Sequence, residues 1–340
     1  MTTLPDCFPT DGSYSEHNWR TLANCWHPVA LSSEVGDQPF GATLLDVPLV
    51  IYRSVEGITV ARRHCPHRGA DLTQGWIAED RLVCAYHGLR FNAAGQCTLI
   101  PAVGPDMKVP ERLCLTTFPA RERYGLIWTC LAPEPRFPLP EWPALEDPDF
   151  QVGELSTVWE VSAARHTENF LDIAHAAWVH ADTFAPRDYP EIPKYEVETR
   201  DSGLYYSITT LFRGGNTFEY ADTVEEAYSE YTLTLPYAIG LKVVYPAGTD
   251  WIFDVASPVS ARKIRVFMRK ARNFDKDKPI DDWLDFQHAV NAEDKAVVEN
   301  QRPPFLPLDL SSEFHIRADS ISVAYRRQLA GLALEANGGY

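Results

Sequence analysis

Six prolines (Pro133, Pro135, Pro138, Pro140, Pro143 and Pro148) crowd into residues 133–148. Each fixes φ and removes an amide donor, so this stretch sustains neither a helix nor a central strand. It reads as a stiff linker that divides the chain into two folding regions. Length agrees, since 340 residues are too many for one typical domain and suit two. The expected organisation is an N-terminal segment 1–17, a first domain 18–132, the linker 133–148 and a second domain 149–340.

Before the linker the pattern is short strands and turns. Residues 42–52 and 57–63 flank a hairpin turn at 55–57, residues 81–84 and 89–91 are short β-prone pieces, 92–95 is a turn and 125–131 a buried strand. This half reads as all-β. After the linker, 156–164 alternates like a strand and 169–180 reads as a helix. Strands follow over 195–200, 205–212, 230–235, 241–245, 251–256 and 263–269. Two helices, 280–300 and 318–336, close the chain, the first opened by Pro279. The second half is therefore α+β, an antiparallel sheet with helices packed on it.

Composition narrows the function classes. The net charge is −16, with 31 basic and 47 acidic residues, which argues against nucleic acid or anionic lipid as the main partner. No apolar run approaches the ~18 residues of a membrane span. The start, Met1–Pro5, lacks a basic segment followed by an apolar stretch, so the expected location is cytoplasmic. Seven cysteines (Cys7, Cys25, Cys65, Cys84, Cys97, Cys114 and Cys130) are an odd number in a large chain, which suits free thiols and metal ligands better than a disulfide framework.

The first chemical constellation is Cys65-Pro66-His67 followed by Cys84-Ala85-Tyr86-His87. Pro66, Gly69 and Gly88 mark both pairs as tight loops, and two loops at neighbouring hairpin tips can converge on one metal centre. Two thiolates and two imidazoles suit structural zinc or a Rieske 2Fe–2S centre, in which the cysteines hold one iron and the histidines the other. Zinc fingers usually segregate Cys-Cys from His-His. Here each loop carries one of each, so each loop can span two irons, and the cluster is the better reading. Cys97 and Cys114 lie outside the motif and read as small buried hydrophobes.

The second constellation is Asn169-x2-Asp172-x2-His175-x4-His180. Asp172 and His175, three apart, share a helical face. His175 and His180, five apart, point about 140° away from each other on a regular helix, so joint ligation needs a widened turn or a helix that ends between them. Two histidines and one carboxylate on one face of iron leave open positions for oxygen and substrate. Asp172 is better used as a partner of a ligand, so the carboxylate must come from elsewhere. In the late helix Trp283, Val290 and Val297 form an inward stripe, and both Glu293 and Asp294 lie near it. Spacing alone does not separate these two acids.

Cys65-Pro-His67-Arg-Gly…Cys84-x-Tyr-His87-Gly, with Asn169…Asp172…His175…His180 and a late Glu-Asp-Lys, resembles the Rieske non-haem iron oxygenases, and the two motifs cover both regions of the chain. The resemblance is to the short monooxygenase branch that includes caffeine N-demethylases and vanillate and dicamba O-demethylases, through 168–180, 293–301 and 320–327. It implies an N-terminal Rieske domain followed by a helix-grip catalytic domain. It implies a 2Fe–2S cluster on Cys65, His67, Cys84 and His87, and one Fe(II) on His175, His180 and Asp294. Asp172 becomes the bridging carboxylate and Asn169 a nearby polar residue.

The activity implied is that of an EC 1.14-type terminal oxygenase, which uses O₂ to hydroxylate or oxidatively demethylate a small aromatic or heterocyclic compound. No Gly-x-Gly-x-x-Gly follows a strand, so electrons are expected from a separate ferredoxin or NAD(P)H-dependent flavin reductase. Tyr206, Phe212, Tyr231, Phe253 and Phe267 are candidates for the pocket lining, although each alone reads as core. The family likeness further implies a homotrimer in which Asp172 of one chain joins its own His175 to His87 of its neighbour. The rival readings are a cis-dihydroxylating arene dioxygenase, a zinc-stapled binding protein with an apolar pocket, and a plain Rieske electron carrier.

Overall fold

The computed structural model describes residues 8–104, 108–181, 183–213, 224–335 and 339–340. Cys7, the first residues of the N-terminal segment and the expected helix end at Ala336 lie outside the described residues. The chain forms two compact units, one of residues up to Gly12 and Leu22–Arg136, the other of Ser13–Thr21 and Phe137–Tyr340. Residues 13–21 join the second unit through Asn18, in α1 (Glu16–Ala23). Its side-chain amide donates to the carbonyls of Glu335 and Gly339 at 2.9 Å and accepts from the Glu335 amide at 2.7 Å. The proline-rich stretch has few amide donors, and beyond a single turn in which Leu145 donates to Trp142 O and Glu146 to Pro143 O it is held at its flanks. The Arg136 amide donates to the Asn24 carbonyl at 2.7 Å in the first unit, while Trp142 stacks on Phe253 in the second.

The first unit is all-β. Its strands are β1 (His27–Leu31), β2 (Phe40–Leu44), β3 (Val47–Ser54), β4 (Gly57–Arg62), β5 (Trp76–Ala78), β6 (Arg81–Val83), β7 (Arg90–Phe91), β8 (Cys97–Leu99), β9 (Thr117–Phe118), β10 (Ala120–Arg123) and β11 (Leu126–Thr129). They form three sheets in the orders β1-β11-β10, β2-β3-β4-β9 and β5-β6-β7-β8. The single strand expected over 42–52 is two strands. Leu45 and Asp46, with φ of 51° and 63°, make a two-residue turn between them. Positive φ at both central residues matches the right-handed twist of a hairpin, but Leu-Asp carries none of the usual Asn-Gly signal.

The second unit opens with β12 (Gln151–Trp159) and then α2 (Ala163–Leu171) and α3 (Ala176–Val179). It continues through β13 (Val197–Arg200), β14 (Gly203–Arg213), β15 (Val224–Thr234), β16 (Ala238–Tyr245), β17 (Gly248–Ser260) and β18 (Lys263–Arg272) to α4 (Ile280–Val298) and α5 (Ser320–Gly331). The seven strands form one antiparallel sheet, β12-β18-β17-β16-β15-β14-β13. The strand expected over 156–164 stops at Trp159, because the Ser162 hydroxyl accepts from the Arg165 amide and starts α2.

One face of the sheet carries the helices. On β17 the even-numbered side chains meet them: Asp254 accepts from His166 of α2 at 2.8 Å, and Asp250 pairs with Lys270, whose ammonium lies over Trp283 of α4. Phe253 has the opposite parity and stacks on Trp142 and Trp251. Phe267 lies opposite Val255 in register and shares Phe253's side of the sheet. Tyr206 and Tyr231, stacked at 4.5 Å, are buried core. Of the five aromatics considered for the pocket, Phe212 lines one. It borders a cavity of about 480 Å³ with Leu211 from the same strand and Ile173, Ala176 and Ala177 from the α2–α3 segment.

The buried stripe of α4 is Trp283, Gln287, Val290, Asn291 and Val298. Val297, expected to point inward, is 46% exposed. A strict seven-residue repeat drifts around an α-helix of 3.6 residues per turn, so by the end of α4 the core side has moved to Val298. Cys97 is buried, but Cys114 is only half-buried, on the sheet margin opposite Gln96. No helix among the described residues is long and apolar enough to cross a membrane.

Candidate metal centres

The loops bearing the first constellation close in the same way. The Cys65 amide donates to Ala70 O and the Gly69 amide to Cys65 O, both at 2.9 Å. The Cys84 amide donates to Leu89 O and the Gly88 amide to Cys84 O, again at 2.9 Å. Gly69 and Gly88 share a φ of 69°. A side chain at that φ is strained, so both loops need glycine where the chain turns back. Cys65 and Cys84 lie in the apolar core formed with Val50, Leu72, Leu82 and Phe91. His67 and His87 are exposed, their ring centroids 4.7 Å apart.

Burial, reinforced by the neighbouring Cys84, pushes the Cys65 thiol up to about 11. Such a thiol keeps its proton until a cation replaces it. Two cysteines in the core and two imidazoles at the surface are the residue types a Rieske 2Fe–2S cluster takes, so these four could hold one.

The second constellation is carried by a broken helix. Residues 169–180 do not form the single helix expected of them. α2 ends at Leu171 because Asp172 takes an extended backbone, with φ −74° and ψ 137°. The Asp172 carboxylate then accepts from the amides of Ala174 at 3.2 Å and His175 at 2.9 Å, which opens α3. The Tyr206 hydroxyl donates to Leu171 O at 2.6 Å and occupies a carbonyl that the lost turn would have used. His175 is thus the N-cap of α3 and His180 its C-cap. The interruption turns both imidazoles to one point.

There His175 Nε2 and His180 Nε2 stand 3.3 Å apart, and each faces Asp294 Oδ1, at 3.3 and 3.2 Å respectively. Ligands on one face of an octahedron with bonds of about 2.1 Å lie ~3.0 Å apart, so this near-equilateral triangle suits one metal ion. Asp294 Oδ1 is buried and has no well-aligned hydrogen bond. Although burial alone would raise it, the two imidazoles hold the Asp294 carboxyl far below its usual range. Against the burial that lowers it, Asp172 and Asp294 raise His175 to about 9. With their ligand atoms gathered this closely, His175, His180 and Asp294 could hold a metal ion.

Each imidazole is steered from behind. His175 Nδ1 meets Asp172 Oδ2 at 3.0 Å, and His180 Nδ1 meets Glu293 Oε2 at 2.7 Å. The carboxylates hold the protons on Nδ1 and leave both Nε2 lone pairs for the metal. Asp294 and Glu293, which spacing could not separate, therefore divide the work: Asp294 faces the metal position and Glu293 orients His180. Thr183, whose hydroxyl donates to Glu293 at 3.1 Å, is a contributor the sequence did not reveal, because it acts only through Glu293. Asn169 lies in the last turn of α2, its carbonyl accepting from the Asp172 amide at 3.2 Å. Phe184 stacks on His180 at 4.8 Å and on Phe212 at 5.6 Å, and so links the triad to the wall of the cavity.

Two families of known proteins match. The Rieske 2Fe–2S domain matches residues 25–119, and the vanillate O-demethylase oxygenase C-terminal domain matches residues 159–335. Methylxanthine N1-demethylase NdmA of Pseudomonas putida is 31% identical over 92% of this chain and 89% of its own length. Methylxanthine N3-demethylase NdmB of the same organism is 32% identical over 93% and 90%. Among solved structures, Pseudomonas putida CBB5 NdmA with caffeine superposes with a TM-score of 0.83 at 28% identity, covering 93% of this chain and 92% of that one. Dicamba monooxygenase bound to dicamba shares the fold, with a TM-score of 0.78 at 23% identity over 92% and 97%.

Proposed function

The chain belongs to the Rieske oxygenases whose catalytic domain is of the vanillate O-demethylase type, and from that premise we propose that it oxidatively removes a methyl group from, or hydroxylates, a small aromatic or heterocyclic compound. As an oxygenase component of the monooxygenase and demethylase kind, it uses a 2Fe–2S cluster and a mononuclear iron. It works with a separate electron donor, through a ferredoxin or a flavin reductase. The methylxanthine demethylases cover nearly the whole chain, so an N-methyl heterocycle is the first substrate class to try.

We assign the cluster to Cys65, His67, Cys84 and His87 and the iron to His175, His180 and Asp294. The observation that carries the second assignment is the triangle of Nε2, Nε2 and Oδ1 atoms 3.2–3.3 Å apart. When bound, the iron supplies open coordination positions for O₂ and the cluster supplies electrons one at a time. The protein's part is positional. Asp172 and Glu293 fix the imidazole tautomers, and Asp294 would supply one negative charge to a bound metal.

The assembly we propose is a homotrimer. The Asp172 side chain is 21% exposed, and among the described residues its Oδ1 accepts from the Ala174 amide at 3.2 Å, which leaves it capacity for a second imidazole. The exposed His87 of a neighbouring chain would supply that N–H. Domain boundaries at 18–132 and 149–340, flanking the proline-rich linker, belong to the same reading.

Purified protein should contain about three irons per chain and give a rhombic Rieske EPR signal when reduced. With a ferredoxin and reductase, a screen of N- and O-methyl compounds should release formaldehyde, with one ¹⁸O from ¹⁸O₂ in the product. Two labelled oxygens in a cis-diol would replace this reading by dihydroxylation. An active monomer would remove the trimer.

A further inference from the structure

Half of one long strand in the large sheet lacks a neighbour on one side. β13 pairs with β14 only as far as Val197 opposite Tyr206, whereas β15 follows β14 from Gly203 to Arg213. From Ser207 onward β14 is therefore a sheet edge. Register fixes which backbone groups face that edge. The Leu235 amide donates to the Ser202 carbonyl at 2.8 Å, one step before Gly203 meets Thr234. Hydrogen-bonded pairs recur at every second residue of an antiparallel ladder. Even-numbered residues of β14 thus bond to β15, and odd-numbered ones turn their N–H and C=O the other way. Gly203 and Tyr205 turn theirs to β13, but no strand stands beside Thr209 and Leu211. Among the described residues no backbone group pairs with the N–H or C=O of either on that side.

A cavity takes the place of the missing strand. Thr209 and Leu211 line the space of about 480 Å³ that Phe212 borders, and residues 185–193 line it as well. That segment carries Pro186, Pro190 and Pro193, which have no amide N–H and cannot complete a ladder. Thr210, of the same parity as Phe212, lines the cavity too, and its hydroxyl is buried with no hydrogen-bond partner among the described residues. The volume suits a small molecule. None of His175, His180 and Asp294 lines this space. Phe184, stacked on both His180 and Phe212, stands between it and the triad.

The edge dictates what fits. An extended residue presents its N–H and C=O side by side, a donor next to an acceptor. Their complement is the C=O and N–H of a secondary lactam or imide, which a ring holds in one plane. Leu211 is half-buried while Thr209 is exposed to competing water, so Leu211 is the stronger contact. Charge narrows the class further. Asp188, Glu191 and Glu226 line the cavity and no Lys, Arg or His does, so an anion would lose hydration without gaining a counter-charge. An extended peptide shares the backbone pattern, but a strand laid along this edge would have to displace residues 185–193.

We propose that this cavity is a second ligand site, in which a neutral secondary lactam or imide donates its N–H to the Leu211 carbonyl and accepts from the Leu211 amide, with the Thr210 hydroxyl as a third contact. The site stands on the edge and the cavity and is independent of the oxygenase reading. Under that reading, loss of a methyl group from a ring nitrogen beside a carbonyl leaves this very N–H and C=O pair, so the site favours demethylated product over methylated substrate.

Calorimetric titration of the iron-loaded full chain, without reductase, tests the site with isomers of equal size. 4-Methylphthalimide and 4-methyl-2-quinolone keep the ring N–H, whereas N-methylphthalimide and 1-methyl-2-quinolone carry the methyl on nitrogen. The N–H isomers should bind about tenfold or more tighter than their partners, and phthalate should bind more weakly than either. Hydrogen exchange should place the ligand, slowing in the peptide that spans 207–213 and not in those of α4. Leu211→Pro removes an edge amide where proline is tolerated and should weaken the N–H isomers about tenfold. Thr210→Val, nearly the same shape, should weaken them about threefold and keeps the test open if the proline variant does not fold. Iron content and the far-ultraviolet spectrum verify folding. Equal binding of the isomers, no binding by either, tightest binding by phthalate, protection at α4 in place of 207–213, or undiminished binding in the folded variants would each overturn the proposal. An acetylated Val-Thr-Val amide that binds more tightly than the N–H isomers would replace it by strand docking. Binding requires no turnover, so a protein that binds in this way and oxidises nothing would sink the oxygenase reading alone, and a demethylase indifferent to the ring N–H would sink this one alone.

Discussion

The cluster-binding loops assemble from neighbouring segments, each closed by its own backbone hydrogen bonds. The triad instead joins a broken helix to a helix far along the chain, and Glu293 stands 113 residues from the His180 it orients. The first site is local and needs little more than two hairpins to exist. The second is non-local, because Asp294 reaches the histidines only if α4 packs beside α2 and α3. The difference teaches that the two centres should fail independently, and that the second should be the more sensitive to substitutions at a distance.

The largest effect tests that independence directly. Asp294→Ala or His180→Ala should abolish turnover and lower bound iron from about three per chain to about two, with the visible cluster spectrum intact. Cys84→Ser should remove the cluster spectrum and leave one iron at the triad, measured by metal analysis. A single substitution that empties both centres would break the comparison.

A smaller effect follows at the orienting carboxylate. Glu293→Ala should weaken iron binding by about 10–100-fold, as read by chelator competition. Glu293→Gln should retain most of it, because an amide oxygen still accepts from His180 Nδ1. If Gln is as damaging as Ala, Glu293 is not merely steering the imidazole.

The two units should also respond to pH in opposite directions when metal is removed. His27, in the first unit, is fully buried, and burial lowers it to about 4. Its folded pKa lies below the unfolded value near 6.5, so the stability it supports is present above that value. That stability is lost as pH falls toward 4, by roughly 3 kcal/mol at most. His175, in the second unit, is raised to about 9. Its contribution is complete below pH ~6.5 and is lost as pH rises through 9. Hydrogen exchange of the metal-free protein at pH 5 and pH 9 should show protection falling first around β1 in acid and around α3 in base. Iron replaces the proton at His175, so the basic limb should vanish on reconstitution.

The smallest effect is expected at Tyr206→Phe, which removes the hydroxyl that holds Leu171 O. The cost should be ~1 kcal/mol in denaturant unfolding, with a modest weakening of iron binding and no change at the cluster. An unchanged iron affinity would mean that Asp172 alone sets the helix break.

Much of the molecule was legible in the sequence because its signals are local. Cys65-Pro-His67…Cys84-x2-His87 names residue types and loop glycines that only a few structures use together, and Pro133–Pro148 marks a boundary by steric exclusion. Period-two runs after residue 195 announced the strands of the large sheet, with ends within four residues of those observed except at β15, which begins six residues before the expected 230. The second centre was legible by type but not by geometry. Five-residue spacing of His175 and His180 demanded a distortion without saying which. The answer, a helix stopped at Asp172 and restarted by the same side chain, depends on Tyr206 from the sheet.

Amino-acid sequence by itself thus determined the two-region organisation, the β-rich first half, the candidate residues for both centres and the need for an irregular turn before His180. Tertiary structure decided what long-range packing alone can decide. It set Asp294 toward the metal position and Glu293 toward His180, because adjacent helical residues point about 100° apart and the packing of α4 chooses between them. It placed Val298 rather than Val297 in the core and sorted the sheet aromatics between its two faces. Residue types travel with the chain, but orientation belongs to the neighbours that folding brings.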